Sequence, residues 1–213
     1  MGYGVQWEKS ALCPCLDKNK TGQPDFNCVL CKGKGRYWYD PTEIKGIMTS
    51  LSGKSQWNPT GEILTGTSSF TTHGWNRLGY WDRITHLNSK MRYSEILTKK
   101  GASEKDQLRF KPLFQTDGYP DVLSVRTVLQ AYTPAVDFTL DTNGYIDWIG
   151  GNNQPRTGDQ YTVDYYTHPQ WICIDLINVV RDTWVKSKKP GITFLQMPTR
   201  AMIRLEFYIS VYF

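Results

Sequence analysis

The sequence predicts a mainly β protein that folds as a β-barrel or a β-sandwich with long loops. Of its 213 residues, 14% are aromatic, and the chain also contains 18 Gly and 11 Pro. Aromatic and β-branched residues favour strands, whereas Gly and Pro favour the turns between them. Apolar and polar residues also alternate in several short segments, as in strands that bury one face. A chain of this length buries roughly 70% of its unfolded surface, so it needs no disulfide to hold a core.

The first predicted strands follow a region with little apolar periodicity. Ile44–Ser50 and Gly61–Thr72 have the composition of strands, and Trp81–Thr85 is a shorter segment of the same kind. A basic stretch follows. Within it, Glu95–Leu97 is compatible with a short helix, whereas Lys99–Ser103 is typical of a mobile loop.

The middle of the chain predicts a strand and then a hairpin. Asp121–Tyr132 is rich in Val and Leu and is predicted as one strand, and Val136–Leu140 alternates apolar with polar residues. The turn Asp141–Gly144 contains Asn-Gly, which favours tight hairpins because both central residues need positive φ. The second hairpin strand is Tyr145–Trp148, and a polar loop at Gly150–Gly158 follows it.

The last third of the chain predicts three further strands. Tyr161–Tyr165 alternates, and Trp171–Leu176 is an apolar run rich in β-formers, whereas Ile177–Lys188 is ambiguous between a strand and a short helix. In Ala201–Phe213 every odd position is apolar and the even positions are polar or amphipathic. This pattern predicts a strand with one face in the core. We therefore expect the end of the chain to be tied into a sheet.

Four of the five cysteines form two closely spaced pairs. Cys13 and Cys15 are separated by one residue, and Cys28 and Cys31 follow twelve residues later as Cys-x-x-Cys. The second pair continues into Lys32–Gly35, which resembles the Cys-x-x-Cys-x-Gly-x-Gly units in the zinc-binding region of Hsp40-type chaperones. Structural zinc takes four such ligands in a tetrahedron. The prediction is a structural zinc knuckle on Cys13, Cys15, Cys28 and Cys31.

Alternatives to this zinc site remain open at the level of the sequence. Cys-x-Cys is a tighter spacing than Cys-x-x-Cys, so a histidine is an alternative ligand, and the chain offers His73, His86 and His168. Two disulfides or four free thiols are the other readings of the motif. The fifth cysteine, Cys173, lies between two isoleucines of a predicted strand and is expected to be a buried, inert thiol.

The cysteine distribution suggests two domains. Residues 1–40 are predicted as a cysteine-rich zinc-binding arm, and residues 41–213 as the β-barrel or β-sandwich domain. No stretch approaches the roughly 18 apolar residues of a membrane span. The N-terminus also lacks the basic start and apolar run of a signal peptide. We therefore expect a reducing cytosol and no membrane partner, a setting in which clustered cysteines favour metal binding.

The motifs of the common enzyme classes are missing from the sequence, so we expect no enzymatic activity. There is no nucleophile elbow, phosphate-binding loop, dinucleotide fingerprint or His-Glu-x-x-His motif. Asp82, Asp164 and Asp175 are not clustered, and each is expected to be a solvated or salt-bridged surface group.

The formal net charge of +5 permits contact with nucleic acid without arguing strongly for it. The basic stretch Lys90–Lys111 contains Tyr93 and Phe110, which suit phosphate contact combined with base stacking. Lys186–Lys189 forms a second basic loop. A solvated loop or a protein contact is the alternative for both.

Several stretches resemble proteins encoded in the head-to-tail gene blocks of tailed bacteriophages. They are Gly79–Ile84, Asp137–Leu140, Gly144–Trp148 and Tyr161–Pro169, preceded by a cysteine module similar to that of head-closure proteins. The resemblance implies a non-enzymatic virion component. That component would be a ring-forming homo-oligomer joining portal to tail, in contact with portal or adaptor and tail proteins.

On this basis the expected function is that of a neck protein, a head-closure or adaptor subunit assembled in the host bacterial cytoplasm. Its aromatic excess would serve subunit contacts, since Trp and Tyr are enriched at protein interfaces. Loops such as Lys99–Lys111 and Gly150–Gly158 would reach neighbouring subunits or border a DNA channel. The alternatives are a tail or baseplate subunit and, from another class, a zinc-ribbon nucleic-acid-binding protein. A stand-alone enzyme ranks third.

Overall fold

The computed structural model describes residues 2–18, 23–25, 28–31, 33–50, 66–101, 104–116, 118–150, 153–177, 182–186, 192–196 and 198–206. These residues are mainly in strands, which confirms the predicted fold class. No helix among the described residues is both long enough and apolar enough to cross a membrane. The elements are β1 (Tyr3–Leu12), α1 (Cys15–Lys18), β2 (Arg36–Ser50), β3 (Thr67–Thr72), β4 (Arg83–His86), β5 (Met91–Thr98), β6 (Asp106–Gln107), β7 (Val122–Arg126), β8 (Ala131–Tyr132), β9 (Phe138–Leu140), β10 (Tyr145–Trp148), β11 (Gln160–Thr167), β12 (Gln170–Ile177), β13 (Asp182–Lys186), β14 (Ile192–Gln196) and β15 (Thr199–Leu205).

The chain forms two compact units, and the second is inserted into the sequence of the first. Residues 1–88 and 170–213 form the first unit, and residues 89–169 form the second. The insertion therefore lies between β4 and β12. The boundary predicted at residue 40 falls inside β2, and β1, which belongs to the predicted arm, pairs with strands of the first unit.

The first unit is a closed antiparallel barrel in the order β1-β2-β3-β15-β12-β4. The strand β1 closes it by pairing with β2 on one side and with β4 on the other. Alternation along the strands directs one face inward, as in β1, where Val5 and Trp7 are buried. The buried core of the barrel consists of Val5, Trp7, Ile44, Phe70, Leu78, Ile84, Cys173, Ala201 and Ile203.

The second unit contains two small sheets, ordered β5-β11-β7-β8 and β6-β10-β9. Its fully buried side chains include Tyr161, Tyr165 and Phe138. The buried carboxylate of Asp106 accepts hydrogen bonds from the Tyr161 hydroxyl at 2.6 Å and from Trp148 Nε1 at 3.1 Å. Tyrosine and tryptophan can be buried here because their polar atoms have partners.

Two local predictions in the second unit are wrong. Glu95–Leu97 is not helical but lies within β5, where exposed and half-buried positions alternate along the whole strand. Pairing with β11 overrides the weak local propensity of such a short segment. The segment Asp121–Tyr132 is not one strand, because a turn in which the Thr127 N–H donates to the Gln130 carbonyl at 2.8 Å separates β7 from β8.

The hairpin predicted at Asn143-Gly144 is confirmed by the pairing of β9 with β10, although the turn differs from the expected one. Gly144 has a φ of 83°, whereas Asn143 is not among the residues with positive φ. The Asp141 carboxylate accepts the N–H groups of Asn143 at 2.9 Å and Tyr145 at 2.8 Å. The aspartate thus stabilises a turn that needs left-handed backbone at the glycine alone.

The C-terminal predictions are confirmed where the structure describes the residues. Trp171–Leu176 lies in β12, and β13 falls within the ambiguous segment Ile177–Lys188 and pairs with β14. Ala201 and Ile203 are buried in β15, as the alternation predicts. Residues 207–213 of the predicted final strand lie outside the described residues, as do residues 61–65 of the predicted strand Gly61–Thr72.

The barrel wall depends on a glycine in β2. A Cβ at Gly46 would lie 2.2 Å from two ring carbons of Phe70, which is itself fully buried. We expect Gly46→Ala to lower the free energy of unfolding by about 1–3 kcal/mol because the ring has to move. Denaturant unfolding measures the change.

The matched control is Gly4→Ala in the neighbouring strand β1, since nothing lies within 4 Å of a Cβ at Gly4. That substitution should change the free energy of unfolding by less than about 1 kcal/mol. Equal effects of the two alanines would contradict the close contact between β2 and Phe70.

Candidate metal centre

The four clustered cysteines come together at one end of β1. Their sulfur atoms all lie within 4.8 Å of one another. Cys13 and Cys28 have sulfurs 3.6 Å apart, and those of Cys15 and Cys31 are 3.5 Å apart. Cys28 is partly exposed and the other three are buried. The two pairs of the sequence motif therefore form one cluster that can bind a metal ion.

Short backbone bonds shape the segment from Cys13 to Gly35, which we call the knuckle. The Cys13 N–H donates to the Gly35 carbonyl at 2.9 Å and closes the segment at its base. The Cys28 N–H donates to the Asp25 carbonyl at 3.1 Å, and the Lys34 N–H donates to the Cys31 carbonyl at 3.0 Å. Gly35 has a φ of 69°, a conformation that glycine adopts without strain.

Backbone N–H groups also point at the sulfur atoms. The N–H groups of Cys31 and Leu30 hydrogen-bond to Cys28 and lower the pKa of its thiol to about 7. A hydrogen bond from the Asp25 N–H lowers the pKa of the Cys15 thiol. Burial and hydrogen bonds with the neighbouring thiols outweigh this effect and raise that pKa to about 12. Because a metal ligand has to be the thiolate, binding of a metal at neutral pH releases protons from this cluster.

The donor set suits a tetrahedral ion that prefers sulfur. Four thiolates complete the coordination sphere of zinc, and N–H groups directed at sulfur are typical second-sphere partners. His73, His86 and His168, all within the described part of the chain, do not belong to the cluster. No histidine is needed to complete a set of four donors, because the sulfurs of both Cys13 and Cys15 belong to the cluster.

The knuckle contacts the barrel through charged and aromatic side chains. Lys34 forms an ion pair with the buried carboxylate of Glu206 at 2.6 Å and lies 5.2 Å from the centre of the Trp38 ring. The guanidinium of Arg83 lies 4.6 Å from the same ring. Tyr37 packs against the cysteine cluster itself. The cysteine cluster and the knuckle are thus connected to β2, to β4 and to Glu206, the residue that follows β15.

Asp82, expected at the surface, is buried within the barrel unit. Its carboxylate accepts hydrogen bonds from Trp7 Nε1 at 2.8 Å, the Ser10 N–H at 3.0 Å and the Gly79 N–H at 2.7 Å. Three donors compensate for the loss of water around the charge. Asp164 fits the salt-bridged expectation, since Arg92 Nε donates to it at 2.9 Å, although its side chain is largely buried.

Cys173 lies apart from the cluster and is fully buried in the barrel core, as predicted. Burial, followed by the charge of Asp82, raises the pKa of its thiol. The residue is a packing side chain and contributes no ligand to the metal centre.

Acidic residues of the second unit neutralise part of the basic stretch Lys90–Lys111. Lys90 pairs with Asp121 at 3.2 Å, and Lys105 pairs with Asp147 at 2.6 Å. Phe110, proposed from the sequence as a stacking platform, is buried and does not offer its face to a base. The stretch therefore provides less positive surface than its composition indicates.

The second unit has an apolar surface that was not predicted from the sequence. Val128 and Leu129, at the tip of the turn between β7 and β8, are 100% and 97% exposed. A tight turn with two aliphatic residues in place of Gly, Asn or Asp was the available signal.

Neither a protein-family model nor a curated protein matches the chain.

Replacing Asp82 tests the role of its carboxylate. We expect Asp82→Asn to lower the free energy of unfolding by about 1–3 kcal/mol, because an amide accepts through one oxygen and turns an N–H toward the remaining donors. Denaturant unfolding measures this. Asp175→Asn, at an exposed site, is the control and should change stability by less than about 0.5 kcal/mol.

Proposed function

We propose that the protein is a structural virion component of a tailed bacteriophage. In this proposal it forms a ring at the head-to-tail neck, as a head-closure or adaptor subunit between portal and tail, without enzymatic activity. The proposal combines the resemblance described above with one observation, the exposed aliphatic turn of the second unit. Such a surface favours a subunit that is covered by neighbours in an assembly.

The turn is held rigid by its hydrogen bonds. The Thr127 N–H donates to the Gln130 carbonyl at 2.8 Å, and the Gln130 N–H donates to Thr127 Oγ1 at 3.1 Å. The Gln130 side-chain amide then donates to Asn153, whose own amide donates to the Asp137 carboxylate at 2.6 Å. The exposed pair therefore sits on a braced support, so little conformational freedom is lost when a partner covers it.

Two further aliphatic residues lie beside this support. Val136 is 66% exposed and Ile149 is 42% exposed, and the Ile149 N–H donates to the Asp137 carbonyl at 2.9 Å. We call Val128, Leu129, Val136 and Ile149 the aliphatic surface. Residues 127–136 contain no charged side chain, in a chain that is 21% charged. Copies of a protein with a net charge of +5 repel one another least where they meet through an uncharged surface.

We further propose that the ion in the knuckle is zinc and that its role is structural. Among the described residues between Cys13 and Gly35, the buried apolar side chains are those of Cys13, Cys15 and Cys31, so a metal supplies the stability that a core otherwise provides. Four thiolates leave no open position for a substrate. The fixed knuckle then presents Val29, 92% exposed, and Leu30, 54% exposed, between two of its ligands.

Contact with packaged DNA is a weaker part of the proposal. Residues 9–36 contain six Lys or Arg and two Asp, and of these basic residues Lys9 pairs with Asp40 and Lys34 pairs with Glu206, so the positive charge that remains around the knuckle is small. This charge suits non-specific contact with phosphates. It also supports the second candidate, a zinc-ribbon nucleic-acid-binding protein, which predicts salt-sensitive DNA binding by the full chain in the absence of any partner.

The neck assignment is tested in particles. We expect Val128→Asp combined with Leu129→Asp to yield DNA-filled heads without tails, because two carboxylates cannot be buried in an apolar contact. Negative-stain images of particles made with the variant count the tails, and a gold label on the wild-type chain locates it. Thr142→Asp with Asn143→Asp adds the same charge on another exposed turn of this unit and should leave tails normal.

Gold label at the baseplate would contradict the neck role. Normal tails on particles made with the Val128→Asp and Leu129→Asp variant would contradict a subunit contact through the aliphatic surface. A chain that is absent from purified particles and binds DNA alone would favour the zinc-ribbon alternative.

The zinc assignment is tested by metal analysis of the purified chain. We expect one zinc per chain, its loss in Cys15→Ser, and a lower melting temperature in chelator, since metal-binding energy stabilises the fold. Cys173→Ser is the control, because Cys173 is remote from the cluster, and it should retain one zinc. A purified, reduced chain that contains no zinc and whose melting temperature is unchanged by chelator would contradict the zinc assignment.

A further inference from the structure

The close sulfur pairs of the knuckle run between its two cysteine motifs. Cys13 contacts Cys28 at 3.6 Å, and Cys15 contacts Cys31 at 3.5 Å. Each contact joins the end of β1 or the start of α1 to the Cys-x-x-Cys turn. A tetrahedral metal bound by the four sulfurs would hold the same two parts of the chain together. A bond within each close pair would therefore link the same parts of the chain as the metal does.

We propose that the knuckle is also a site of oxidative modification, in which loss of the metal is followed by two disulfides, Cys13–Cys28 and Cys15–Cys31. A disulfide has sulfurs about 2.05 Å apart, so each pair, at 3.6 and 3.5 Å, needs only about 1.5 Å of further approach. The oxidised knuckle keeps the chain path that the metal imposes. The cluster therefore has two interchangeable cross-links, one by coordination and one covalent.

Cross-linking between the motifs constrains the chain more than cross-linking within them. The contacting pairs are 15 and 16 residues apart in sequence. A disulfide that closes a longer loop removes more conformational freedom from the unfolded chain. A bond between Cys13 and Cys15 would instead close a ring around one residue and leave the two motifs unlinked.

The order of the reaction follows from exposure. Cys28 is the partly exposed member of the cluster, so an oxidant reaches its sulfur first. With a diazene such as diamide, the Cys28 thiolate adds to one nitrogen of the N=N bond and the other nitrogen takes a proton from water. The Cys13 thiolate then attacks the Cys28 sulfur and expels the hydrazine anion, which takes a second proton.

Each disulfide thus forms as two thiolates lose two electrons and one N=N bond is reduced to a hydrazine. A second diazene oxidises Cys15 and Cys31 in the same way, and the metal leaves as the free ion. Cys173, fully buried in the barrel, is spared.

The biological sense of this second state rests on the proposed function. A virion protein is assembled in a reducing cytoplasm and is then carried into an oxidising medium, where thiolate sites lose metal by oxidation. Disulfides between the same residues would keep Lys34 placed on Glu206, and so keep the knuckle on the barrel. The subunit would hold its shape in both environments.

The pairing is tested with two matched double variants of the full chain. Cys15→Ser with Cys31→Ser leaves the close pair Cys13 and Cys28, whereas Cys13→Ser with Cys31→Ser leaves Cys15 and Cys28, so both variants keep the partly exposed Cys28. Both keep two of the four ligands and should lack stable zinc. After chelation and addition of diamide, thiol counts by mass spectrometry should show the first variant forming its disulfide at least tenfold faster.

The wild-type chain provides the second measurement. Diamide should release one zinc, consume four thiols and leave Cys173 alone open to alkylation after unfolding. The melting temperature of the oxidised chain should be close to that of the zinc form and above that of the chelated, reduced form. Equal rates in the two double variants, a disulfide between Cys28 and Cys31, or a low melting temperature of the oxidised chain would overturn the inference.

These outcomes are independent of the neck role. Mispaired or destabilised oxidised protein would refute the second state while a gold label still locates the chain at the neck. Correct pairing in a chain that is absent from particles would refute the neck role and leave the chemistry intact.

Discussion

Closure of the barrel depends on the buried carboxylate of Asp82. Trp7 and Ser10 of β1 both donate to it, and so does the Gly79 N–H just before β4. Burying a charge is costly unless donors surround it, so this carboxylate fixes the positions of the groups that satisfy it. The backbone carbonyl of Asp82 also accepts a hydrogen bond from the Cys173 N–H at 2.9 Å, which connects this residue to β12. One residue thus joins three strands of the barrel.

The metal centre depends on this closure because β1 leads directly into it. Once β1 is held between β2 and β4, Cys13 emerges at a fixed point, and the bond to the Gly35 carbonyl brings the chain back to β2. The ion pair between Lys34 and Glu206 ties the knuckle to the end of β15. The described part of the knuckle therefore continues from the barrel wall, and the proposed cross-links, metal or covalent, would stabilise a segment whose described buried apolar residues are cysteines.

The second unit provides surface of a different kind. Three of its lysines pair with neighbouring carboxylates, namely Lys90 with Asp121, Lys99 with Asp106 and Lys105 with Asp147, whereas its aliphatic surface is exposed and braced. Exposed ion pairs contribute little to association, but rigid apolar side chains contribute a great deal once they are covered. In the proposed ring, the uncharged turns of this unit would contact neighbouring subunits, and the basic knuckle would contact DNA.

Features that depend on neighbouring residues were predictable from the sequence. Alternation placed Ala201 and Ile203 in a core, turn chemistry placed the hairpin at Gly144, and spacing identified the four cysteines, because strand periodicity, turns and knuckles all form over a few residues. The helix considered at Glu95–Leu97 failed for the opposite reason, since pairing with β11 decided that segment.

The links between distant parts of the chain depend instead on how the whole chain folds. The bond from Trp7 to Asp82 spans 75 residues, and that from Lys34 to Glu206 spans 172, so no local pattern predicts either. Likewise, Phe110 and Val128 are both apolar, yet the first is buried and the second fully exposed. Which apolar residues become core and which become surface is set by the closure of the sheets around them, because burial depends on the packing of the whole unit.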